Sequence, residues 1–307
     1  VAALTTCCLG LEFRNPIVLA SGPAGFGVEL AETFDLAKVG ALTTKTVTLE
    51  PRAGNPQPRL VDAPCGVLNS IGLQNPGCEA FRKELLPQIR AFPTKRIVSV
   101  AGRGPEEVKT IAGRLSGEPG VDALEVNLSC PNVRGETVAD SPRSVRAFVR
   151  AVRSSTALPL LAKLPGEGNY LALVEAALAA GAGGVALINA LRGLRIHTET
   201  GRPWLDRQTG GLCGPAILPI ALERVFEARK AFPDAVIVGT GGVGDVRGVV
   251  EMLCAGANLV GVGFAVMVDP DSVFRLEEGL SEWLGTRGME DVGALCGAAH
   301  RGGIHVR

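Results

Sequence analysis

Apolar residues fall along this chain in eight short runs: Ile17–Ala20, Ala41–Thr44, Ile97–Val100, Ala123–Val126, Leu160–Ala162, Gly184–Ile188, Val236–Gly239 and Leu259–Val262. Each run is nearly continuous rather than alternating, as expected of strands buried on both faces of a parallel sheet. Helical spacing fills the stretches around residues 28–38, 105–115, 142–154, 169–180, 216–231, 244–255 and 271–284. Thr110, Ile111, Gly113 and Arg114 make 105–115 the weakest of these. Eight strand–helix alternations with tight glycine turns predict a closed (β/α)8 TIM barrel; an open doubly wound sheet is the structural rival. No composition shift marks a linker, so residues 1–307 are expected to form a single domain.

Two insertions interrupt the alternation, residues 46–96 after strand two and 189–214 after strand six. Loops of that length inside a compact domain are usually functional. Both leave the carboxyl end of a strand, the face on which parallel barrels carry their active sites. The fourth run ends on that face as Asn127-Leu-Ser-Cys130-Pro-Asn132, which brings a thiol, two amides and a hydroxyl together within six residues.

Composition narrows the function. Hydrophobic residues make up 46% of the 307, enough for a sizeable core. Lys+Arg and Asp+Glu balance at 31 each, so bulk charge gives no case for nucleic acid or an acidic membrane. Aromatics at 4% argue against base-stacking platforms. The eight cysteines show neither a CxxC nor a His-paired spacing, so no metal or iron–sulfur ligation is expected. The C-terminal stretch Arg287–Arg307, with Cys296, His300 and His305, reads as a surface helix and tail. No signal peptide is evident, and no apolar run approaches the roughly 18 residues of a membrane span. A cytoplasmic location is the expectation.

Three groups of residues could carry chemistry. Gly239-Thr-Gly-Gly242 ends the seventh run and Gly261-Val-Gly263-Phe264 the eighth, where backbone amides freed of side chains can approach a phosphate. Taken singly, such glycines could equally make tight turns. Lys45 and Lys163 end the second and fifth runs and would stabilise an anion, either a reduced flavin ring or a substrate carboxylate. Histidine occurs only at 197, 300 and 305, so a general base at a strand end must be something else. Cys130 is the candidate, since a thiol removes a proton once cations or amide donors lower its pKa. Asn69, Asn127, Asn132 and Asn189 would surround it with groups that both donate and accept hydrogen bonds, suited to a planar imide.

With these residues in view the chain resembles the dihydroorotate dehydrogenases, specifically the class 1 enzymes with a cysteine base. The likeness runs from about Leu11 to Pro270. It is carried by Ala20-Ser-Gly22, Lys45-Thr46, Asn69-Ser-Ile-Gly-Leu-Gln-Asn75, Asn127-Leu-Ser-Cys130-Pro-Asn132 and Thr209-Gly-Gly-Leu-Cys-Gly214-Pro-Ala, with Gly241-Gly242 and Gly263. Gln74 and the 209–216 segment look most like subclass 1B, the NAD-linked enzymes.

The resemblance implies an FMN-binding barrel that oxidises dihydroorotate to orotate in pyrimidine biosynthesis. FMN contacts would fall on Ser21, Gly22, Lys45, Thr46, Ser99, Asn127, Lys163, Ile188, Gly214, Gly241, Gly242, Gly263 and Phe264. Substrate contacts would fall on Lys45, Asn69, Ser70, Ile71, Gly72, Leu73, Asn127, Asn132, Asn189 and Ala190. Cys130 would take a ring proton while hydride passes to FMN. The resemblance further implies a homodimer and, for subclass 1B, a separate subunit carrying FAD and an iron–sulfur cluster. The barrel motifs are also compatible with fumarate as oxidant, as in subclass 1A, whereas Cys rather than Ser as base argues against the quinone-linked class 2.

The sequence departs from the family at three places. Asn189 is followed by Ala190 where a Thr or Ser is usual, Gly263 by Phe264 where a Thr is usual, and the loop Val133–Pro142 is short and lacks the usual Phe-Gly. These departures keep a second reading in play, a related FMN oxidoreductase acting on another dihydropyrimidine or cyclic amide. A flavoprotein without catalysis is the third, and the intact Cys130, Lys45 and Lys163 weigh against it.

Overall fold

The computed structural model describes residues 2–129 and 141–304. Fourteen strands occur among them. The first two, β1 (Thr6–Cys8) and β2 (Leu11–Phe13), form an antiparallel hairpin. The next four are β3 (Ile17–Leu19), β4 (Ala41–Thr43), β5 (Leu60–Ala63) and β6 (Gly66–Asn69). Four more follow as β7 (Lys95–Val100), β8 (Ala123–Asn127), β9 (Leu160–Lys163) and β10 (Gly184–Leu187). The last are β11 (Leu191–Leu194), β12 (Thr209–Cys213), β13 (Val236–Thr240) and β14 (Leu259–Val262).

Strands β3, β4, β7, β8, β9, β10, β13 and β14 close into one parallel barrel, with β14 paired back onto β3. These are the eight apolar runs, and no open doubly wound sheet forms. Each strand contributes one residue to an inner cluster: Val18, Ala41, Ile97, Ala123, Leu161, Ala186, Val238 and Leu259, closed off by Phe13 of β2. Side chains two residues apart share a face of a strand. The layer above this apolar floor is therefore Ala20, Thr43, Ser99, Glu125, Lys163, Ile188, Thr240 and Gly261. Polar groups enter the lumen at that level.

The outer faces of the strands pack against helices. Helix Pro105–Leu115 buries Val108, Ile111, Ala112 and Leu115, a single face at helical spacing. That packing outweighs the poor propensity of Thr110 and Gly113. The helix after β4 runs from Cys78 to Ile89 and buries Cys78, Phe81, Leu86 and Ile89. It lies within the 46–96 insertion, where no helix is expected from the sequence and Pro87 interrupts the helical pattern. The chain accommodates Pro87 after a π-helical turn at Phe81–Leu85.

Two other expected helices are broken in the structure. Residues 28–38 form a short helix at Val28–Ala31 and a 3-10 turn at Leu36–Lys38. Residues 271–284 divide into Pro270–Phe274 and Leu276–Gly285. The C-terminal stretch is no loose tail within its described part. Val292, Leu295 and Ala298 are buried. The His300 ring stacks on Phe226 at 4.0 Å, and its Nε2 lies 3.1 Å from the Ala255 carbonyl oxygen.

The two insertions meet. Strands β5 and β6 from the first, and β11 and β12 from the second, form a four-stranded antiparallel sheet in the order β11-β12-β6-β5. Gly214 shows how closely they approach: its φ is +121°, and an added Cβ would lie 2.5 Å from Gly66 Cα and 2.6 Å from the Cys65 oxygen. Glycine is required there by the fold. No described helix is long and apolar enough to cross a membrane.

Candidate active site

The residues singled out by sequence converge on the carboxyl ends of the barrel strands. Ser21 and Gly22 follow β3, Lys45 and Thr46 follow β4, Ser99 lies in β7, Asn127 ends β8 and Lys163 ends β9. Ile188, Asn189 and Ala190 follow β10, Gly241 and Gly242 follow β13, and Gly263 and Phe264 follow β14. Gly214 enters from the sheet above, while Asn69 ends β6 and Ser70 to Leu73 continue from it. Cys130 and Asn132, with the loop that follows them, lie outside the described residues.

A chain of hydrogen bonds links four of these strand ends. The Asn127 amide nitrogen donates to Thr46 Oγ1 at 3.0 Å. Thr46 Oγ1 lies 3.0 Å from Ser99 Oγ, which donates to Glu125 Oε1 at 2.9 Å. Ser21 Oγ donates to the Thr44 carbonyl at 2.8 Å. The other end of the Asn127 amide, Oδ1, accepts from the Ser129 N–H at 3.3 Å and its hydroxyl at 3.1 Å. Asn189 Nδ2 reaches the Ser129 carbonyl at 3.5 Å.

Lys163 is only 6% exposed. It has neither a carboxylate nor a hydrogen-bond partner among the described residues. A cation held at a barrel strand end with no protein counter-charge is placed to meet an anionic or electron-rich ligand. Lys45 is half-buried above it; burial, followed by the nearby Arg59, pushes its pKa below the ordinary lysine value, while Glu29 acts the other way. A pocket of about 360 Å³ opens beside Lys45 and Arg52, lined also by Phe26, Gln74, Asn75 and Pro76.

The glycines divide into two kinds. Gly241 (φ +133°) and Gly242 (φ +78°) are demanded by the chain itself: a Cβ would lie 2.8 Å from Ala221 Cβ at the first and 2.6 Å from the Leu218 nitrogen at the second. Gly263 is different. A Cβ there would meet only Ala20 and Pro23, at 3.6 and 3.8 Å, and its φ is negative, at −120°. Gly22 needs glycine for its φ of +115°, yet it too has no atom within 4 Å of a built Cβ. Open space beside glycines at two adjacent strand ends forms a cradle with room for a ligand.

The Asn69–Asn75 loop is held by two asparagine side chains, Asn75 and Asn55, whose partners only the fold brings together. Asn75, 7% exposed, accepts through Oδ1 from the Thr48 N–H (3.1 Å) and the Gly77 N–H (2.8 Å). Its Nδ2 donates to Thr48 Oγ1 and the Leu73 carbonyl, both at 2.8 Å. Asn55 donates to the Ser70 carbonyl (3.1 Å) and hydroxyl (2.9 Å), and its own N–H donates to the Ile71 carbonyl at 2.9 Å. Leu73 takes a left-handed φ of +56°, a strained state kept only where surroundings dictate it. Asparagines beside a glycine-bearing turn were the available signal.

Asn69 Nδ2 donates to the Gly211 carbonyl at 2.9 Å and to Cys213 Sγ at 3.3 Å, tying the two insertions together over the mouth. Burial pushes the Cys213 thiol up, with Lys163 and Asn69 opposing. Cys213 is therefore a neutral thiol near pH 7 and a poor base. Ala190 packs against the β12 backbone, where a Cβ at Gly211 would lie 2.6 Å from its own. No group of three or more His, Cys, Asp or Glu among the described residues is placed to hold a metal ion.

A closed parallel barrel with a buried lysine, a hydroxyl–amide chain and an open glycine cradle at its strand ends defines a small-molecule enzyme of the barrel class. Comparison with known proteins supplies the family. A family model described as Dihydroorotate dehydrogenase matches residues 3–284. The chain is 44% identical over 297 residues to the "Dihydroorotate dehydrogenase B (NAD(+)), catalytic subunit" of Desulforudis audaxviator, with 96% of each chain covered. A protein of the same name from Trichlorobacter lovleyi is 42% identical over 291 residues, 94% of this chain and 95% of that one. Another from Geobacter sp. (strain M21) is 40% identical over 298 residues, 96% and 97%. This chain belongs to the dihydroorotate dehydrogenase family, which is flavin-dependent.

Proposed function

We propose that this chain oxidises dihydroorotate to orotate in pyrimidine biosynthesis, with FMN as its bound flavin, and that it is the catalytic subunit of a subclass 1B enzyme. The observation that carries the reading is the unmatched Lys163 beneath the barrel mouth, in a member of this family. A buried cation at a strand end suits an electron-rich ring that gains negative charge on reduction. The residues present fit FMN: Gly22 and Gly263 leave room, Gly241 and Gly242 turn the backbone at β13, and Thr46 and Asn127 offer hydroxyl and amide partners, whereas Ser99, expected to touch FMN, is fully buried behind Thr46. Bound FMN would accept the hydride.

The chain's own residues do the rest. Lys45, whose charge is incompletely solvated, binds the substrate carboxylate. Asn69, Asn127, Asn132 and Asn189 hold the imide edge, and the 69–73 loop covers it. Cys130 removes the ring proton; Cys213, the described thiol at the mouth, is unsuited to that task because its pKa is raised. Relatives named as a catalytic subunit of an NAD(+) enzyme support a separate partner subunit; an FAD and an iron–sulfur cluster on that partner, and a homodimer of this chain, belong to the proposal through the subclass 1B resemblance.

The test is anaerobic mixing of the FMN-loaded protein with dihydroorotate, and in parallel with dihydrouracil, which lacks the carboxylate. Flavin absorbance should bleach rapidly with dihydroorotate alone. Bleaching by dihydrouracil, or by neither while dithionite still reduces the flavin, would overturn the substrate assignment.

A further inference from the structure

Glu125 is a buried carboxylate that the proposed chemistry leaves unused. It is 4% exposed, lies in the polar layer directly above the apolar floor of the barrel, and pairs with no basic side chain among the described residues. Its one hydrogen bond there comes from Ser99 Oγ, at 2.9 Å. Ser99 is fully buried and Thr46 nearly so, at 4% exposed, so the chain of groups running from Glu125 to Asn127 is shielded from water.

Each hydroxyl in that chain has a single proton to give. A carboxylate only accepts, so Ser99 spends its proton on Glu125. The 3.0 Å contact between Ser99 and Thr46 must then be a donation from Thr46. Thr46, its proton spent, can only accept from Asn127 Nδ2, at 3.0 Å. The opposite end agrees, because Asn127 Oδ1 takes the Ser129 N–H, an unambiguous donor. Proton direction is thus the same at every step from Asn127 to Glu125. With both protons committed, Thr46, the one of the two hydroxyl residues with any exposed surface, can offer a ligand nothing but a lone pair.

We infer that Glu125 is a positioning residue for the cofactor. It polarises the Ser99–Thr46–Asn127 chain, through the fully buried Ser99, so that the Thr46 hydroxyl meets the flavin as a hydrogen-bond acceptor, matched to a donor such as a ring imide N–H. This rests on the FMN reading above. A neutral glutamine at 125 could face Ser99 with either its oxygen or its NH2, and the second choice would reverse the Ser99–Thr46 step and free the Thr46 proton for donation.

The experiment compares the unaltered chain, Glu125→Gln, Ser99→Ala and the double variant. FMN affinity is titrated on the deflavinated proteins, and melting temperature is recorded for each holo-protein. Glu125→Gln should weaken FMN roughly fivefold to tenfold, the difference between a charge-assisted and a neutral hydrogen bond. In the Ser99→Ala background the same change should be silent, within about twofold, because the effect travels through that hydroxyl. If Glu125→Gln binds FMN normally, or the two losses multiply, the inference is overturned while the FMN reading stands. A Glu125→Gln chain that does not fold while Ser99→Ala does would assign Glu125 to barrel stability, and also overturns it. If the unaltered chain does not bind FMN, both fall together.

Discussion

Asn75→Ala is the sharpest probe of how the barrel mouth is held. Asn75 makes four hydrogen bonds from a nearly buried side chain, two accepted from the Thr48 and Gly77 N–H groups and two donated to Thr48 Oγ1 and the Leu73 carbonyl. Alanine strands two buried backbone donors. Each costs about 1 kcal/mol or more when left unsatisfied, and the two lost donations add about 0.5 kcal/mol each. The Thr48 hydroxyl keeps its bond to the Glu50 carbonyl at 2.7 Å, so it adds nothing further. The sum is about 3 kcal/mol.

An unfolding entropy of about 2 cal/mol/K per residue gives roughly 0.6 kcal/mol/K for a chain of 307 residues. The melting temperature should therefore fall by about 5 °C. The same bonds anchor the end of the Asn69–Leu73 segment, so KM for dihydroorotate should rise more than kcat falls. Thermal denaturation followed by circular dichroism, beside steady-state kinetics, reads both effects. A loss under 1 kcal/mol with unchanged KM would refute this role for Asn75.

Further outcomes follow from the same geometry. Lys45→Met should remove orotate binding yet melt no lower than the unaltered chain at pH 7, because it deletes a charge whose burial disfavours folding. With the folded pKa below the unfolded 10.5, the unfolded chain binds the extra proton between the two values. The variant's stability advantage should thus fade as pH climbs through that window; pH-dependent melting curves test the sign. Gly263→Ala should keep the fold but weaken FMN, whereas Gly242→Ala, with φ +78° and the Leu218 nitrogen at 2.6 Å, should lower the melting temperature first; paired melting and FMN titrations separate the two. Cys130→Ser should slow anaerobic flavin reduction by about 10²–10⁴-fold without changing FMN affinity, and an undiminished rate would dismiss Cys130 as the base.

The barrel was legible because its strands are buried on both faces, which writes each as an unbroken apolar run. Glycine turns at 241–242 were legible for a local reason, the positive φ that they require. Helix Cys78–Ile89 was not legible, since Pro87 breaks the local pattern and only burial of Phe81 and Ile89 restores it. Glu125 was visible all along inside Ala123–Asn127, as a charge in a strand with no solvent-facing side. In the sequence it passed for a strand residue; only the register that sets it beside Ser99 gives it work. Asn75 was quoted within a motif, but half of its bonds go to Thr48, 27 residues away, and no spacing rule joins Thr48 to the 73–77 turn.

The site is built from parts with different rigidity, and their meeting point explains the placement of the insertions. Lys163, Ser99, Glu125 and Asn127 stand on barrel strands, whose ladders fix them, so the flavin side can be preorganised. The substrate side hangs on loops that one barrel strand end could not hold alone. Pairing β6 with β12 joins the loops from strands two and six of the barrel, and Asn69 seals the join through Gly211 and Cys213. A change at Cys213 should therefore reach substrate affinity through Asn69 rather than through proton transfer. Cys213→Ala would then raise KM and leave the pH profile of flavin reduction where it was. A displaced pH profile would instead make Cys213 part of the acid–base chemistry and reassign the thiol's role at the mouth.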